Sequence, residues 1–445
     1  MWIRTVARDY PFCSQPVKLL AYTNSVVGGA LATPSWEVRV SAVRVARVIT
    51  AVAIASLVIG GCAAKNNSSS SGGTTNAADL PVVSQVPVPA DAVLPAGDGK
   101  ASCSGATIAY AGAETGANAQ LGLNIVNGVQ LAVNQHNQAN PNCQVTLKKF
   151  DTEGDPTKAT GIVTQVTNEA DILGVVGLPF SGESKATGGI FQTAGLVHIT
   201  PSATNPTLTQ NGWTTFFRAL GNDAVQGPAA AKFITNQLHA NKVCVVQDDS
   251  DYGIGLANAI NGVLGDKASG CQDKVTTGQR DFSATVTKIN NAKPDAVFYS
   301  GYYAEGAPLD QQLLNAGFKG TFVGPDGVKD DKFIQQAGSA SSNAVFTCPC
   351  VPGELVPQFA QAYQALAGSA PGTYSLEGYD SATIMLRAID SGIKDRASMV
   401  NYVKNYNADG LSKRFQWDGT GELKTSTVYG YKVQNGKIVY IGTIS

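Results

Sequence analysis

Stretches with the apolar spacing of strands alternate with stretches that have the spacing of helices from residue 106 onward. Residues 106–113 form a short apolar run typical of a buried strand. Apolar residues then recur at every fourth position, which places them on one face of a helix: Leu121, Ile125, Val129 and Val133. Residues 144–151 alternate as a strand does, and residues 172–177 and 196–201 form two further buried strands. Strands punctuated by helices predict βαβ units and a mostly parallel sheet.

The same order of patterns begins again near residue 242. Residues 242–249 predict a strand, residues 253–265 a helix and residues 271–277 a second strand, with a further helix and strand after them. We therefore predict an α/β chain with two Rossmann-like lobes of similar plan, each built on a parallel sheet. Ligands bind beyond the carboxyl ends of the strands in such sheets, so two facing lobes would place both sets of loops on one cleft.

A basic segment followed by an apolar one precedes this alternating region. Arg39, Arg44 and Arg47 come before the apolar residues 48–59, and Cys62 follows. The apolar run is too short to span a bilayer comfortably, but it fits the central region of a secretory signal. Small residues directly before Cys62 resemble a bacterial lipobox, in which the cysteine is lipidated and becomes the mature N-terminus. The alternative is an uncleaved anchor, and both predict an exported protein.

The first hundred residues divide into a signal region at 1–61 and a tether at 62–102. Residues 1–37 precede a complete signal, so we interpret them as an over-annotated start. Residues 62–102 are rich first in Ser and Gly and then in Pro, which is typical of a flexible tether followed by a stiffer spacer. A lipid on Cys62 would hold the protein on the outer face of the cytoplasmic membrane.

Composition and charge narrow the possible functions. Hydrophobic residues make up 43% of the 445 residues, which is enough to build a sizeable core. The formal net charge of -1 argues against nucleic acid as a partner. The 3 histidines lie far apart in the sequence, which argues against a histidine metal centre. We therefore expect neither a metal nor a cofactor.

Cysteine positions predict disulfide bonds. Cys103 and Cys244 each enter the first strand of a lobe, while Cys143 and Cys271 each enter the second. Because those two strands are neighbours in a parallel sheet, we predict the bonds Cys103–Cys143 and Cys244–Cys271, which leaves Cys348–Cys350 to pair. The Cys-Pro-Cys sequence at that last pair leaves a metal-binding or redox role open.

Five side chains in the loops that follow predicted strands carry candidate binding chemistry: Ser181, Thr204, Tyr252, Tyr302 and Asp326. Ser181 begins a predicted helix, whose free N–H groups and dipole favour a carboxylate, although it could be only a helix cap. Thr204 and Asp326 lie in sequences typical of turns, and the tyrosines could simply pack at the mouth of a cleft. If Asp326 is buried, it needs a cation to pair with.

Enzyme motifs are poorly represented. Residues 391–394 fit S-x-x-K, but residues 424–426 only loosely resemble the K-T-G element and no S-D-N lies between them. Residues 253–255 read Gly-Ile-Gly after a strand, yet Asn258 stands where a dinucleotide-binding motif needs its third glycine. We therefore expect that the protein is not an enzyme.

Six motifs in the same order resemble the branched-chain amino-acid binding proteins of bacterial ABC transporters. The most specific stretch runs from Ile199 to Ile234. The other matches are DYGIGLA at 251–257, RDFSA at 280–284, FYSGYYAEG at 298–306, FVGPDGV at 322–328 and FQWDGTGELK at 415–424. The resemblance covers the chain from about Ala106 to its C-terminus.

The resemblance implies the type I periplasmic-binding fold, in which three connections between the lobes form a hinge. It implies that these connections lie near Asn222, Val351 and Arg414. The N-terminal lobe would then comprise residues 103–221 plus 352–413, and the C-terminal lobe residues 222–351 plus 414–445.

The resemblance also assigns ligand-binding roles. Ser181 and Thr204 would hold the ligand α-carboxylate, aided by a backbone group at Ser202 or Ala203. On the side of the second lobe the binding residues would be Tyr252, Tyr302 and Asp326, the last of which takes the ligand ammonium. Two positions depart from the family: Asp326 stands where glutamate is frequent, and Leu121 replaces an aromatic residue that packs on the ligand side chain.

We therefore expect a monomeric, lipid-anchored receptor that captures an amino acid of the branched-chain type, or a similar small zwitterion. It would deliver this ligand to the membrane subunits of an ABC importer. One alternative is a ligand-sensing receptor of the same fold that acts in signalling or regulation. Another is a specialised enzyme of the same two-lobed shape.

Overall fold

The structure is a computed structural model and describes residues 74–444. The predicted signal region at 1–61 and the predicted lipidation site Cys62 lie outside the described residues. Among the helices of the described part, none has the length and apolarity needed to cross a membrane.

The first lobe is built on a five-stranded parallel sheet with the strand order β2-β1-β3-β4-β5. In chain order, its elements are β1 (Ala106–Gly112), α1 (Ala119–Ala139), β2 (Val145–Asp151), α2 (Pro156–Asn168), β3 (Ile172–Gly177), α3 (Ser181–Ala194), β4 (Val197–Thr200) and β5 (Phe216–Arg218). The predicted βαβ pattern is confirmed here. The sequence pattern did not predict β5, because three residues are too few for an alternation to appear.

The second lobe repeats this plan on a larger, mixed sheet with the order β14-β13-β10-β9-β8-β6-β7. Its first elements are α4 (Asp223–Lys232), β6 (Val243–Gln247), α5 (Asp251–Leu264), β7 (Gln272–Lys274), α6 (Ser283–Ala292), β8 (Ala296–Ser300), α7 (Tyr303–Asn315), β9 (Thr321–Gly324), α8 (Asp331–Ala337) and β10 (Ala344–Cys348). The five strands from β6 to β10 are parallel.

The chain then returns to the first lobe. It forms α9 (Pro357–Ala367), α10 (Ser375–Asp390), α11 (Arg396–Lys404) and the short antiparallel pair β11 (Asn407–Asp409) and β12 (Arg414–Gln416). Helix α10 lies close against α1 because both carry glycine at the crossing. A Cβ on Gly128 would lie 2.0 Å from the Ser375 carbonyl oxygen, and one on Gly378 would lie 2.8 Å from the Ile125 carbonyl oxygen. Larger residues would force the helices apart.

The chain ends in a hairpin that extends the second sheet. Its strands β13 (Val428–Gln434) and β14 (Lys437–Ile444) are antiparallel, and β13 also pairs antiparallel with β10. Asn435 and Gly436 connect them with φ of 53° and 69°, the left-handed conformation that a two-residue hairpin turn requires. An Asn-Gly pair between two strands is the sequence typical of such a turn, so the local sequence agrees with the hairpin.

The third connection between the lobes differs from the expected position near Arg414. Residues after β12 stay against the first sheet: Trp417 Nε1 donates to the Arg218 carbonyl oxygen at 2.7 Å, and Gly421 accepts from Arg218 N at 3.0 Å. The chain therefore enters the second lobe only between Leu423 and Val428. Strand β12 remains in the first lobe because its pairing partner β11 lies there.

All three predicted disulfide bonds are present: Cys103–Cys143, Cys244–Cys271 and Cys348–Cys350. The first two join residues at the starts of neighbouring strands, with Cα–Cα distances of 4.5 Å and 4.7 Å. Cys348 and Cys350 are fully buried where the chain leaves the second sheet. Cys348 and Cys350 are bonded to each other, so in this structure they offer no free thiolate to a metal. We therefore interpret this bond as structural.

Residues 74–102 differ from the expected free tether, because they are packed on the folded protein. The side chains of Ala77, Leu80 and Val86 are buried, and a short 3-10 helix forms at Ala77–Asp79. Backbone hydrogen bonds join this segment to both lobes, at Tyr440 in the second and at Asp409 in the first. The polar and proline-rich composition predicted solvent exposure. The few apolar residues of the segment instead pack against apolar side chains of the folded protein.

Candidate functional site

The N-terminus of α3 forms one wall of a cavity between the lobes. Ser181 is the first residue of this helix and is 1% exposed. Its Oγ accepts a hydrogen bond from Asn205 N at 3.2 Å, so the hydroxyl proton remains free to be donated. The first N–H groups of a helix lack intrahelical partners and carry the positive end of its dipole, which favours an anion beside Ser181.

The loop after β4 lies beside this helix end. The Ser202 hydroxyl donates to the Pro179 carbonyl oxygen at 2.8 Å, and Ala203 N donates to Thr200 Oγ1 at 2.9 Å. The Ser202 hydroxyl and the Ala203 N–H, two predicted contributors, are therefore already bonded, the first to the loop after β3 and the second to the last residue of β4. Thr204 differs, because its buried hydroxyl has no hydrogen-bond partner among the described residues. Of the loop side chains, Thr204 is thus the one with an unused hydroxyl.

A buried arginine fixes the shape of this loop. Arg218 is 0% exposed, and its guanidinium donates to the carbonyl oxygens of Ala203 and Asn205, the latter at 3.0 Å. Glu422 neutralises it at 2.9 Å. Glu422 lies in the segment after β12. Through Arg218, that segment therefore helps to fix the conformation of the loop after β4. Arg218 is fully buried and Glu422 only partly, so losing Glu422 would leave an uncompensated buried charge on Arg218.

The second lobe contributes an acid held by tyrosines. Asp326 lies in the turn after β9 and is 1% exposed. Tyr252, near the start of α5, donates its hydroxyl to Asp326 Oδ1 at 2.6 Å and accepts from Gly327 N at 3.3 Å. Tyr302 packs beside it, with ring centroids 5.1 Å apart. The acid is therefore oriented toward the cavity by its own lobe.

Contacts across the cleft complete the site. Tyr374, from the loop before α10 in the first lobe, donates its hydroxyl to Asp326 Oδ2. Phe180 of the first lobe meets the Tyr302 ring edge-on, with centroids 5.0 Å apart. The space left between the lobes is a cavity of about 10 Å³. It is lined by Leu121, Pro179, Phe180, Ser181, Ser202, Tyr252, Tyr302, Asp326 and Tyr374.

Burial makes this an electrostatically costly place for a carboxylate. Burial raises the pKa of Asp326, although the hydroxyls of Tyr252 and Tyr374 counteract the shift. Burial also raises the pKa of Asp223 to about 8, and the nearby charge of Asp326 adds to the shift. Neither oxygen of Asp223 has a hydrogen-bond partner in the described part of the chain. A cation close to Asp326 would relieve this cost.

A larger crevice of about 700 Å³ lies beside the small cavity, lined by residues of both lobes. Its polar groups are paired with each other across the cleft: Asn124 Nδ2 donates to Asp330 Oδ2 at 3.1 Å, and Lys329 Nζ lies 3.3 Å from Thr373 Oγ1. The small cavity is nevertheless the better binding site. There an unbonded hydroxyl proton, a helix N-terminus and an acid converge, whereas the crevice groups that face each other across the cleft are already paired.

The structure brings most of the predicted site residues together. Leu121, Ser181, Ser202, Tyr252, Tyr302 and Asp326 all line the cavity. Ala203 and Thr204 are buried in the adjoining loop but do not line it. Sequence reasoning missed Phe180 and Tyr374. Tyr374 lies in a segment without a strand pattern, so the search for loops after strands did not reach it. The signal that could have found it was its position directly before helix α10.

One cluster among residues 74–444 has the spacing of a metal site, but its residues already bond to other protein groups. His136, Cys143 and Asp390 place their ligand atoms within 4.8 Å of one another. Cys143 is bonded to Cys103, so it offers no thiolate, and His136 Nε2 pairs with Asp390 at 2.8 Å. These residues therefore serve the packing of α1 against α10.

Comparison with protein families assigns most of the chain. Residues 105–437 match the model of a family described as periplasmic binding proteins. An amino acid binding protein from Pseudomonas aeruginosa is 30% identical over 335 residues, which cover 73% of this chain and 89% of that protein. The Leu/Ile/Val-binding protein of Escherichia coli K12 is 30% identical over 328 residues, 71% of this chain and 88% of that protein.

Solved structures resemble the whole two-lobed body. A branched-chain amino acid transporter substrate binding protein from Streptococcus pneumoniae, in complex with isoleucine, superposes with a TM-score of 0.71 at 26% identity. The match covers 77% of this chain and 100% of that one. A leucine binding protein from Thermotoga maritima gives a TM-score of 0.69 at 28% identity, covering 76% of this chain and 99% of that one.

Proposed function

Because the chain belongs to the periplasmic binding protein family, we propose that it captures a free α-amino acid between its two lobes and delivers it to an ABC importer. The ligand is of the branched-chain type or is a similar small zwitterion. The observation that carries this proposal is the convergence of Ser181 and Asp326 on one cavity from opposite lobes. A zwitterion needs hydrogen-bond donors at one end and an anion at the other.

The first lobe offers the donor end. Ser181 stands at the N-terminus of α3 with its hydroxyl proton free, and the Thr204 hydroxyl is unbonded in the adjoining loop. The ligand α-carboxylate binds against this helix end, where the N–H groups and the dipole stabilise negative charge. Ser202 and Ala203 contribute through the shape of the loop that Arg218 holds.

The second lobe offers the anion. Asp326 binds the ligand ammonium, which relieves the cost of burying an ionised carboxyl group. Aspartate is shorter than glutamate, so the ammonium has to approach the backbone of the turn more closely. Tyr252 and Tyr374 hold the two oxygens of Asp326 in place, and an ammonium can use the lone pairs that remain.

Ligand binding is coupled to movement of the lobes. The cavity of about 10 Å³ is sealed by Phe180 against Tyr302 and by Tyr374 against Asp326, and each pair joins the two lobes. An amino acid can enter only when the lobes separate, and a ligand that contacts both lobes shifts the population toward the closed form. The membrane subunits of the importer can then distinguish loaded from unloaded receptor.

Leu121 shapes the pocket for the ligand side chain. It is 1% exposed on the first turn of α1 and lines the cavity beside Tyr302 and Tyr374. An aliphatic side chain that lines the same cavity as these aromatic rings favours a compact apolar side chain on the ligand. This supports a branched-chain type of ligand over a charged one.

The protein acts by binding alone, as a monomer, and without a cofactor. Cys62 carries the lipid that anchors it to the outer face of the cytoplasmic membrane, after cleavage of the signal region. Support for this anchoring comes from the lipobox-like sequence before Cys62.

Calorimetric titration tests the proposal. The 20 proteinogenic amino acids are titrated into the purified protein, together with 4-methylpentanoate and 3-methylbutylamine, which lack the amine and the carboxylate of leucine respectively. We expect saturable binding of at least one aliphatic amino acid and no binding of either analogue. Absence of binding by every amino acid would contradict the proposal, and product formation on incubation would favour an enzyme instead.

A further inference from the structure

The packed N-terminal segment Thr75–Ala101 connects the two lobes independently of the three chain crossings of the hinge. We propose that this segment, which we call the strap, resists separation of the lobes and so sets the fraction of the receptor that is closed. The inference does not depend on the identity of the ligand. It rests on where the strap is attached and on how few residues lie between its attachments.

The strap is attached to the second lobe over its first nine residues. Thr75 N donates to the Leu238 carbonyl oxygen at 3.0 Å, and Val83 N donates to the Tyr440 carbonyl oxygen at 2.9 Å. Ala77 and Leu80 are buried in the apolar cluster that contains Phe233 and Ile441, among others. Since β14 is the edge strand of the second sheet, the strap also covers backbone groups that would otherwise be exposed.

A buried lysine strengthens this attachment. Lys432 on β13 is 2% exposed, and its Nζ donates to the carbonyl oxygens of Ala78 at 2.9 Å and of Leu80 at 2.6 Å. No carboxylate lies within 4.0 Å of this ammonium in the described range 74–444. Releasing the strap would break two hydrogen bonds from a charged donor, which are stronger than those between neutral groups. The strap consequently moves with the second lobe.

The far end of the strap is attached to the first lobe. Val93 N donates to the Asp409 carbonyl oxygen at 2.7 Å, and Asp409 belongs to β11, which follows the first-lobe helices α10 and α11. The side chain of Asn140, at the end of α1, donates to the Ala96 carbonyl oxygen at 3.1 Å and accepts from Ala101 N at 3.0 Å. This end therefore moves with the first lobe.

Only a short stretch of chain lies between the two attachments. Val83 and Val93 are ten positions apart, and Pro87 and Pro89 between them fix their own φ angles. Val86 is itself 9% exposed and packs into the main apolar cluster. A rotation that separates the lobes must open the turn that Ala92 N closes on the Pro89 carbonyl oxygen, pull Val86 out of its contact or break the bond at Asp409. Each of these costs free energy, and the cost favours the closed form.

Lengthening the strap without removing its attachments tests the inference. Gly-Ser-Gly-Ser is inserted between Val88 and Pro89, and the matched control carries the same insertion between Ser71 and Gly72. Small-angle X-ray scattering without ligand reports lobe separation directly. We expect a larger radius of gyration for the strap insertion and no change for the control. With leucine as the probe, we expect dissociation to be faster by about threefold or more, since the closed fraction falls.

A second variant covers the case in which the insertion disturbs folding. Val93→Pro removes the one N–H that bonds Asp409, leaves the attachments on the second lobe intact and moves the first attachment on the first lobe from Val93 to Ala96. It should therefore expand the unliganded protein in the same direction, by less than the insertion. Scattering curves of both variants that match the wild type would overturn the inference. Because scattering needs no ligand, that result is distinguishable from a failure of leucine to bind, which would count against the proposed function only.

Discussion

Replacing Asp326 by asparagine isolates the charge that is proposed to hold the ligand ammonium. The side chains have nearly the same shape: the asparagine oxygen accepts from one of the Tyr252 and Tyr374 hydroxyls, and its NH2 group donates to the other. Asp326 is 1% exposed in the wild type, so a ligand ammonium bound to its carboxylate would be removed from water as well. In the variant, that ammonium would be buried without a counter-charge.

The expected loss follows from measurements on truncated buried charge pairs. Such truncations cost about 2–5 kcal/mol, which corresponds to a dissociation constant raised roughly 30-fold to several thousand-fold. The unliganded variant should be at least as stable as the wild type. Burial raises the pKa of Asp326, so ionisation of this group weakens folding above that pKa, and asparagine removes the penalty.

Isothermal titration calorimetry at pH 7 with the tightest-binding amino acid measures the effect, and thermal melting of the free protein checks folding. Asp331→Asn is the matched control, because Asp331 is an exposed acid close to the same turn. Asp331→Asn should bind like the wild type. A dissociation constant for Asp326→Asn within about threefold of the wild type would refute the assignment of the ammonium to Asp326. Unimpaired binding of an analogue without an amine would refute it independently.

Three further outcomes are expected. Ser181→Ala removes a free hydroxyl donor and should weaken amino-acid binding about tenfold in the same titration. Unchanged affinity would show that the ligand α-carboxylate does not bind to the Ser181 hydroxyl. Asp310 is buried on α7, which raises its pKa to about 7, so its ionisation destabilises the fold as the pH rises through 7. Asp310→Asn should therefore raise the melting temperature at pH 8 and change it little at pH 4, and equal effects at both would contradict this sign. Replacing the Cys103–Cys143 pair by serines should lower the free energy of unfolding in urea by about 4 kcal/mol, against under about 2 kcal/mol for Cys348–Cys350. The reason is the sequence separation of 40 residues against 2, and equal losses would show that loop closure is not the cause.

Local spacing determined the plan of the fold. The alternation near residues 144–151 and the four-residue spacing from Leu121 to Val133 were sufficient to predict β2 and α1. Repetition of that order predicted the second lobe, and the position of each cysteine relative to its strand predicted the disulfide bonds. These features follow from residues close together in sequence, since periodicity is a local property.

The loops of the candidate site were predictable for a related reason. Side chains at the carboxyl ends of parallel strands meet at one edge of a sheet, so Ser181 and Asp326 could each be placed near a cleft before any contact was known. Only the tertiary structure decided that the Ser202 hydroxyl bonds to Pro179 in the neighbouring loop, that Ala203 N bonds to Thr200, and that the Thr204 hydroxyl has no partner among the described residues. Hydrogen-bond partners in a loop depend on the neighbours that packing supplies.

The sequence by itself therefore determined which elements form, and the tertiary structure decided which distant residues complete one another. Tyr374 reaches Asp326 across 48 positions, Arg218 reaches Glu422 across 204, and Lys432 reaches Ala78 across 354. No spacing rule encodes such pairs, because they depend on how whole lobes and segments pack. The packing of residues 74–102 on both lobes has the same origin: their composition resembles a linker, and a folded surface is required to bury their few apolar side chains.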